Sequence, residues 1–223
     1  MIRIESFTEA GGDHAANEDA FVARTHPYDE SLVVCVVADG QGGRAGGAKA
    51  ARFAATATAN LAAVCPLDRL ADPKTWLDIV RHVDGATASD PEAGFTTLVG
   101  LCATPDRIVG ASAGDSDALL VTAADATILT GRQKKNPPVG SGGAEPVAFA
   151  ATPDGPWKLL ALTDGVWKYV GWERVIAAAR ETSGRDLLAG LERAARLPGS
   201  GRFQDDFTAV LLELDRTTQA GGR

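Results

Sequence analysis

The sequence predicts a layered α+β domain, and three observations carry that reading. Strand-like runs stand at the start, middle and end of the chain, while helical patterns fall in two pairs between them. No internal repeat interrupts that order. The 223 residues are 45% apolar and 23% charged, enough to bury one substantial core.

The elements follow in chain order. Residues 2–7 alternate apolar and polar, the pattern of a half-buried strand, and 20–25 form a second short one. Residues 31–38 (SLVVCVVA) are apolar and β-branched and stop abruptly at Asp39-Gly40, as a buried strand entering a turn does. Four glycines fall within the next seven positions. Residues 48–64 are alanine-rich with Phe53 and Leu61 on one face, which predicts a helix. Asp72-Pro73 supplies a cap and a first-turn proline for another helix, which turns Trp76, Ile79, Val80 and Val83 inward. Short β-type runs occupy 95–103, 107–113, 117–123 and 126–130. Residues 131–146, rich in Gly, Pro, Lys and Ser, read as a loop. A strand at 158–163 feeds Asp164-Gly165, helices cover 171–181 and 184–197, and the last strand spans 207–214. Together these predict one domain over residues 1–215 and a polar tail over 216–223.

Composition narrows the function. A net charge of −7 argues against a general nucleic-acid or anionic-membrane binder. The cysteines, Cys35, Cys65 and Cys102, are odd in number and lack metal-binding spacing, as expected in a reducing cytoplasm. No apolar run approaches the roughly 18 residues of a membrane span, and the first residues do not resemble a signal peptide.

Five acidic motifs occur in one order: Asn17-Glu18-Asp19, Asp39-Gly40-Gln41-Gly42-Gly43, Gly114-Asp115-Ser116, Thr163-Asp164-Gly165 and Asp205-Asp206-Phe207-Thr208. Each sets a carboxylate between an apolar run and a turn. Carboxylates gathered at strand ends suit hard divalent cations, which prefer oxygen ligands. Each motif alone has a plain alternative: Asp-Gly is a common turn, and an acidic pair in a loop is commonly solvated. The glycines at 40–43 also fit a dinucleotide-binding turn. That motif requires a second strand and an acidic residue about 20 residues on, whereas a helix follows here and Asp68 lies in a Pro-containing loop. Lys49 does not follow Gly47 directly, which excludes a Walker-type phosphate loop.

Taken together, the five motifs resemble the protein phosphatase 2C family of metal-dependent serine/threonine phosphatases, from about residue 1 to 215. The resemblance implies a four-layer α/β/β/α sandwich, with two central antiparallel sheets flanked by helices and metals at one edge. It implies that Asp39 bridges two metals, with the Gly40 carbonyl as a further ligand and Asp164 and Asp205 on the first metal. Glu18 is expected to contact a metal largely through water, and Asp19 to hold metal-bound water. Asp206 takes a position often filled by asparagine in the family. Asp115 matches a residue tied to a third, weaker metal in some members, while Asp117 stands where the family usually has arginine.

Two further departures concern the substrate. His14 occupies the place, three residues before Asn17, of an arginine that commonly grips phosphate. An arginine forks onto two oxygens and stays charged, whereas histidine offers one donor and is charged part of the time. His14 is therefore a candidate phosphate ligand or proton donor, with a plain loop residue as the alternative, and Arg44 is a candidate replacement cation. The 48 residues between Asp115 and Asp164 leave a short flap, with 131–146 as its remnant. Lys134 and Lys135 within it read either as a solvated pair or as a contact for an acidic or phosphorylated partner.

The implied activity is hydrolysis of phosphoserine or phosphothreonine by a metal-activated water, using two Mn2+ or Mg2+ ions with room for a third. No phosphoenzyme is required, and no Cys-x5-Arg motif is present. The implied partners are phosphorylated proteins, a serine/threonine kinase or its targets, in the cytoplasm. The alternative is a phosphatase-like module that binds a phosphoprotein or ligand and turns over little.

Overall fold

In the computed structural model, residues 1–12, 16–41 and 46–215 are described. β1 (Ile2–Glu9), β2 (Asp19–His26) and β3 (Asp29–Asp39) open the chain, followed by α1 (Gly47–Val64), the single turn α2 (Leu67–Leu70) and α3 (Pro73–Ala88). Next come β4 (Leu98–Thr104), β5 (Arg107–Ala113), β6 (Asp117–Thr122), β7 (Ala126–Ile128), β8 (Val147–Ala151) and β9 (Trp157–Leu162). Then α4 (Asp164–Val170), α5 (Trp172–Glu181) and α6 (Gly184–Ala195) lead into β10 (Phe207–Leu214).

The strands form two five-stranded antiparallel sheets, ordered β1-β10-β9-β6-β7 and β2-β3-β4-β5-β8. Successive side chains of a strand point to opposite faces, and here both faces are apolar. Val34 and Val36 of β3 pack with Ala54 of α1 and Val80 of α3. Val33, Cys35 and Val37 pack with Leu159 and Val210 of the other sheet. Leu160, Leu162 and Leu211 on that sheet's outer face meet Val166, Val175 and Leu187 of α4 to α6. Three apolar layers therefore separate four structural layers, giving the α/β/β/α sandwich. Burial on both faces explains why β3 reads as a continuous apolar run.

Helix α1 packs through its alanines, with Ala50, Ala51, Ala54 and Ala62 fully buried. Phe53 and Leu61 line one groove with Val64, but Phe53 is 43% exposed there while Leu61 also packs against the core. Asp72 caps α3 by accepting from the Lys74 amide, and Trp76, Ile79, Val80 and Val83 are buried as the spacing predicts.

Three elements depart from the sequence reading. Asp68 lies in α2, the single turn after Pro66, rather than in a loop. β8 is five residues long beside a Gly/Pro-rich segment, and its strand character comes from pairing with β5. α4 begins at Asp164 itself. Its sequence, DGVWKYV, is a weak helix former by local propensity, and the helix is stabilised by burying Val166 and Val170. Among the described residues, no helix is long and apolar enough to cross a membrane.

Candidate active site

Antiparallel pairing brings the ends that carry the acidic motifs to one edge of the sandwich. Asp19 opens β2 directly opposite Asp39 at the close of β3. Asp117 pairs with Leu162, just before Asp164, and Ala209 pairs with Leu162 from β10. Asp205 and Asp206 precede β10, and Asp115 lies in the turn from β5 to β6. The result is a cleft of about 490 Å3 lined by the carboxylates of Asp39, Asp115, Asp164, Asp205 and Asp206, together with Gly40, Thr97 and Lys135.

Backbone and hydroxyl contacts fix these groups. The Asp39 amide donates to Thr97 Oγ1 at 2.9 Å, and the Thr97 hydroxyl meets Ser116 Oγ at 2.6 Å. That chain joins the end of β3 to the Gly114-Asp115-Ser116 turn. Trp167 Nε1 donates to the Asp115 carbonyl at 3.1 Å. Gly40 donates its amide to the Glu18 carbonyl at 3.2 Å, and a Cβ there would stand 2.5 Å from the Gly47 carbonyl carbon. Only glycine permits that approach. Asp206 accepts from the amides of Gly11 (2.8 Å) and Glu18 (2.7 Å), so its two oxygens tie the β1–β2 connection to the start of β10.

Glu18 and Asp19 sit behind the cleft. Asp19 is buried, and its Oδ2 accepts from the Thr163 hydroxyl at 2.9 Å. Its Oδ1 and Glu18 Oε2 are buried without a hydrogen-bond partner. Buried oxygens are normally satisfied, so two bare carboxylate oxygens mark a place suited to a cation.

The electrostatics agree. Burial, then the charges of Asp19, Asp164, Asp205 and Asp115, pushes the Asp39 carboxyl well above its ordinary range. Burial raises Asp19 to about 7, with Asp206 and Asp164 adding to the rise against the hydrogen bond from Thr163. Asp164 is raised for the same first reason, offset by Lys168, whose Nζ lies 3.5 Å away. Clustered like charges raise carboxyl pKa values in this way and favour a positive ion among them. The donor set is all oxygen, which fits a hard divalent cation. Among the described residues, however, no three His, Cys, Asp or Glu side chains already form a group that could hold a metal. Lys135 and Lys168 pair with two of the carboxylates, Asp115 and Asp164.

Of the remaining sequence candidates, His14 and Arg44 lie outside the described residues. Asp117 is buried and accepts from Thr130 Oγ1 (2.5 Å) and Gln133 Nε2 (3.1 Å), so it anchors the segment after β7. Lys135 is solvent-exposed, and its Nζ lies 2.5 Å from Asp115 Oδ2. Sequence reasoning missed the Thr97–Ser116 and Thr163–Asp19 pairs. It also missed Asp84, which accepts amides from the 131–146 loop. The available signal for Asp84 was an acidic residue in the apolar stripe of α3, beside Val80 and Val83.

Comparison with known proteins is consistent with this geometry. The family described as Protein phosphatase 2C matches residues 10–140. Among solved structures, the catalytic domain of the serine threonine protein phosphatase PstP in complex with two manganese ions is 23% identical, with a TM-score of 0.77 over 95% of this chain and 97% of that one. The serine/threonine phosphatase Stp1 from Staphylococcus aureus is 17% identical, with a TM-score of 0.79 over 96% of each chain. RsbX in complex with magnesium is 15% identical, with a TM-score of 0.72 over 96% of this chain and all of that one. No curated protein sequence matches the chain.

Proposed function

This chain belongs to the protein phosphatase 2C family, and we propose that it is a metal-dependent phosphatase that hydrolyses phosphoserine or phosphothreonine esters on proteins. The observation that carries this reading is the meeting of five carboxylates in one cleft, backed by the bare oxygens of Glu18 and Asp19. The likeness to a phosphatase holding two manganese ions supports Mn2+ or Mg2+ as the cofactor.

Asp39, the Gly40 carbonyl, Asp164 and Asp205 would hold the cations, with Glu18 completing the set through its unpartnered oxygen. A bound pair of such ions supplies an acidified water and positive charge against the phosphoryl oxygens. Asp19 keeps one oxygen on Thr163 and leaves the other bare, so that oxygen would be free to hold a metal-bound water. Thr97 and Ser116 keep Asp39 and Asp115 in register while the charge in the cleft changes. The substrates in this reading are phosphorylated proteins, a serine/threonine kinase or its targets, and the compartment is the cytoplasm.

A second reading is a module that binds a phosphoprotein without turnover. One observation favours it: Asp117 stands where the family usually has arginine and is held by Thr130 and Gln133, so this position offers no cation to a phosphate. Assays with para-nitrophenyl phosphate and a phosphothreonine peptide, with and without Mn2+, separate the two. Metal-dependent turnover that is lost in Asp39→Ala supports the phosphatase. Tight Mn2+ binding without turnover on either substrate supports the module.

A further inference from the structure

A phosphate ester entering this cleft meets a lining rich in aspartates. Among the described residues, Lys135 is the basic side chain that lines the cleft. Its Nζ rests on Asp115 Oδ2 at 2.5 Å, while its side chain stays 64% exposed and so open to a solute. An ammonium carries three donors, and the Asp115 contact uses one.

The loop that carries Lys135 is fastened. The Gly114 amide donates to the Lys134 carbonyl at 3.0 Å, at the turn that holds Asp115. Val139 exchanges two backbone hydrogen bonds with Thr96, and Thr96 also bridges to Gly40. Further along, the buried Asp84 accepts the amides of Gly140, Gly142 and Ala144 at 2.8, 3.0 and 2.9 Å. Lys134 turns to Glu145 instead. The lysine therefore sits at a fixed height beside the carboxylates, on backbone continuous with the Gly40 turn.

We propose that Lys135 is a substrate-binding residue whose ammonium, anchored on Asp115, donates to a phosphoryl oxygen of the ester in the cleft. This assignment rests on the phosphatase reading above and adds to it the group that recognises the phosphate.

The test is titration of the Mg2+-saturated protein with inorganic phosphate by calorimetry, alongside kcat and KM for the phosphothreonine peptide. The variants are Lys135→Met and Lys135→Arg. Lys135→Met is expected to raise the phosphate dissociation constant and KM roughly three- to tenfold, the range for a charge-assisted hydrogen bond at a partly exposed site. Little change in kcat is expected, and Lys135→Arg should lie closer to the wild type. An unchanged phosphate dissociation constant in Lys135→Met overturns the proposal. So does a loss that disappears when Mg2+ is raised further, because the lysine would then act through the metal ligands. Absence of wild-type turnover counts against the phosphatase reading separately, and the phosphate titration still decides Lys135.

Discussion

Asp19 and Asp39 face each other as register partners across β2 and β3, so the fold sets two carboxylates side by side at the end of one sheet. Burial raises both pKa values, and the charge of Asp19 is the next cause of the rise at Asp39. Asp39→Asn removes one charge while keeping the shape. It should stabilise the metal-free protein by about 1 kcal/mol, as relief of functional strain commonly does, and abolish turnover. Thermal melts with and without Mn2+ check both: the variant should melt higher without metal and gain little from it. A lower metal-free melting temperature would contradict the repulsion argument.

The same carboxyls set a pH dependence. Asp19 is raised from 3.8 to about 7, and Asp39 and Asp164 are raised too. The folded state then binds more protons than the unfolded chain across that window, so stability falls as pH rises through it. The contribution is fully present below the ordinary carboxyl value and gone above the folded one. Metal-free protein should therefore melt higher near about pH 5 than near about pH 8. Because protons compete with the metal for the same oxygens, the gain in melting temperature from Mn2+ should be larger at the higher pH.

Close backbone approach constrains the glycine after Asp164. A Cβ on Gly165 would lie 1.9 Å from the Asp206 carbonyl oxygen. Gly165→Ala should cost roughly 3 kcal/mol, the upper range for forcing atoms into a filled space, and weaken Mn2+ binding by shifting Asp164. Gly85, within α3, has open space around its Cβ position. Gly85→Ala should stabilise by about 0.5–1 kcal/mol through helix propensity alone. Urea unfolding of the two variants separates steric conflict from glycine loss in general.

Asp84 holds the 131–146 loop through three amides. Asp84→Ala leaves those donors without their acceptor and should destabilise by about 2–4 kcal/mol. It should also raise KM for the phosphothreonine peptide, because Lys135 loses its fixed position. Proteolysis that newly cuts within 131–146 would report the released loop directly. A rise in KM with the loop still protected would place the effect elsewhere.

Much of the fold was legible because its signals are local. The run at 31–38, the Asp72-Pro73 start of α3 and the strand at 207–214 are written in short-range periodicity and capping. α4 and β8 were not legible, because one is stabilised by packing and the other by pairing with β5. The alanine face of α1 could not be ranked above Phe53 by hydrophobicity alone. Close packing against β2 and β3 selected the small side chains.

The placing of carboxylates at element ends is local information, because an apolar run that stops at an aspartate marks that position from short-range pattern alone. Tertiary structure alone decided what each carboxylate does. Asp115 meets Lys135, Asp117 is taken by Thr130 and Gln133, Asp206 by the amides of Gly11 and Glu18, and Asp19 keeps a bare oxygen. The physical reason is that a carboxylate's role depends on charge, donors and burial within a few ångströms, and antiparallel pairing supplies those neighbours from segments as much as 195 positions apart.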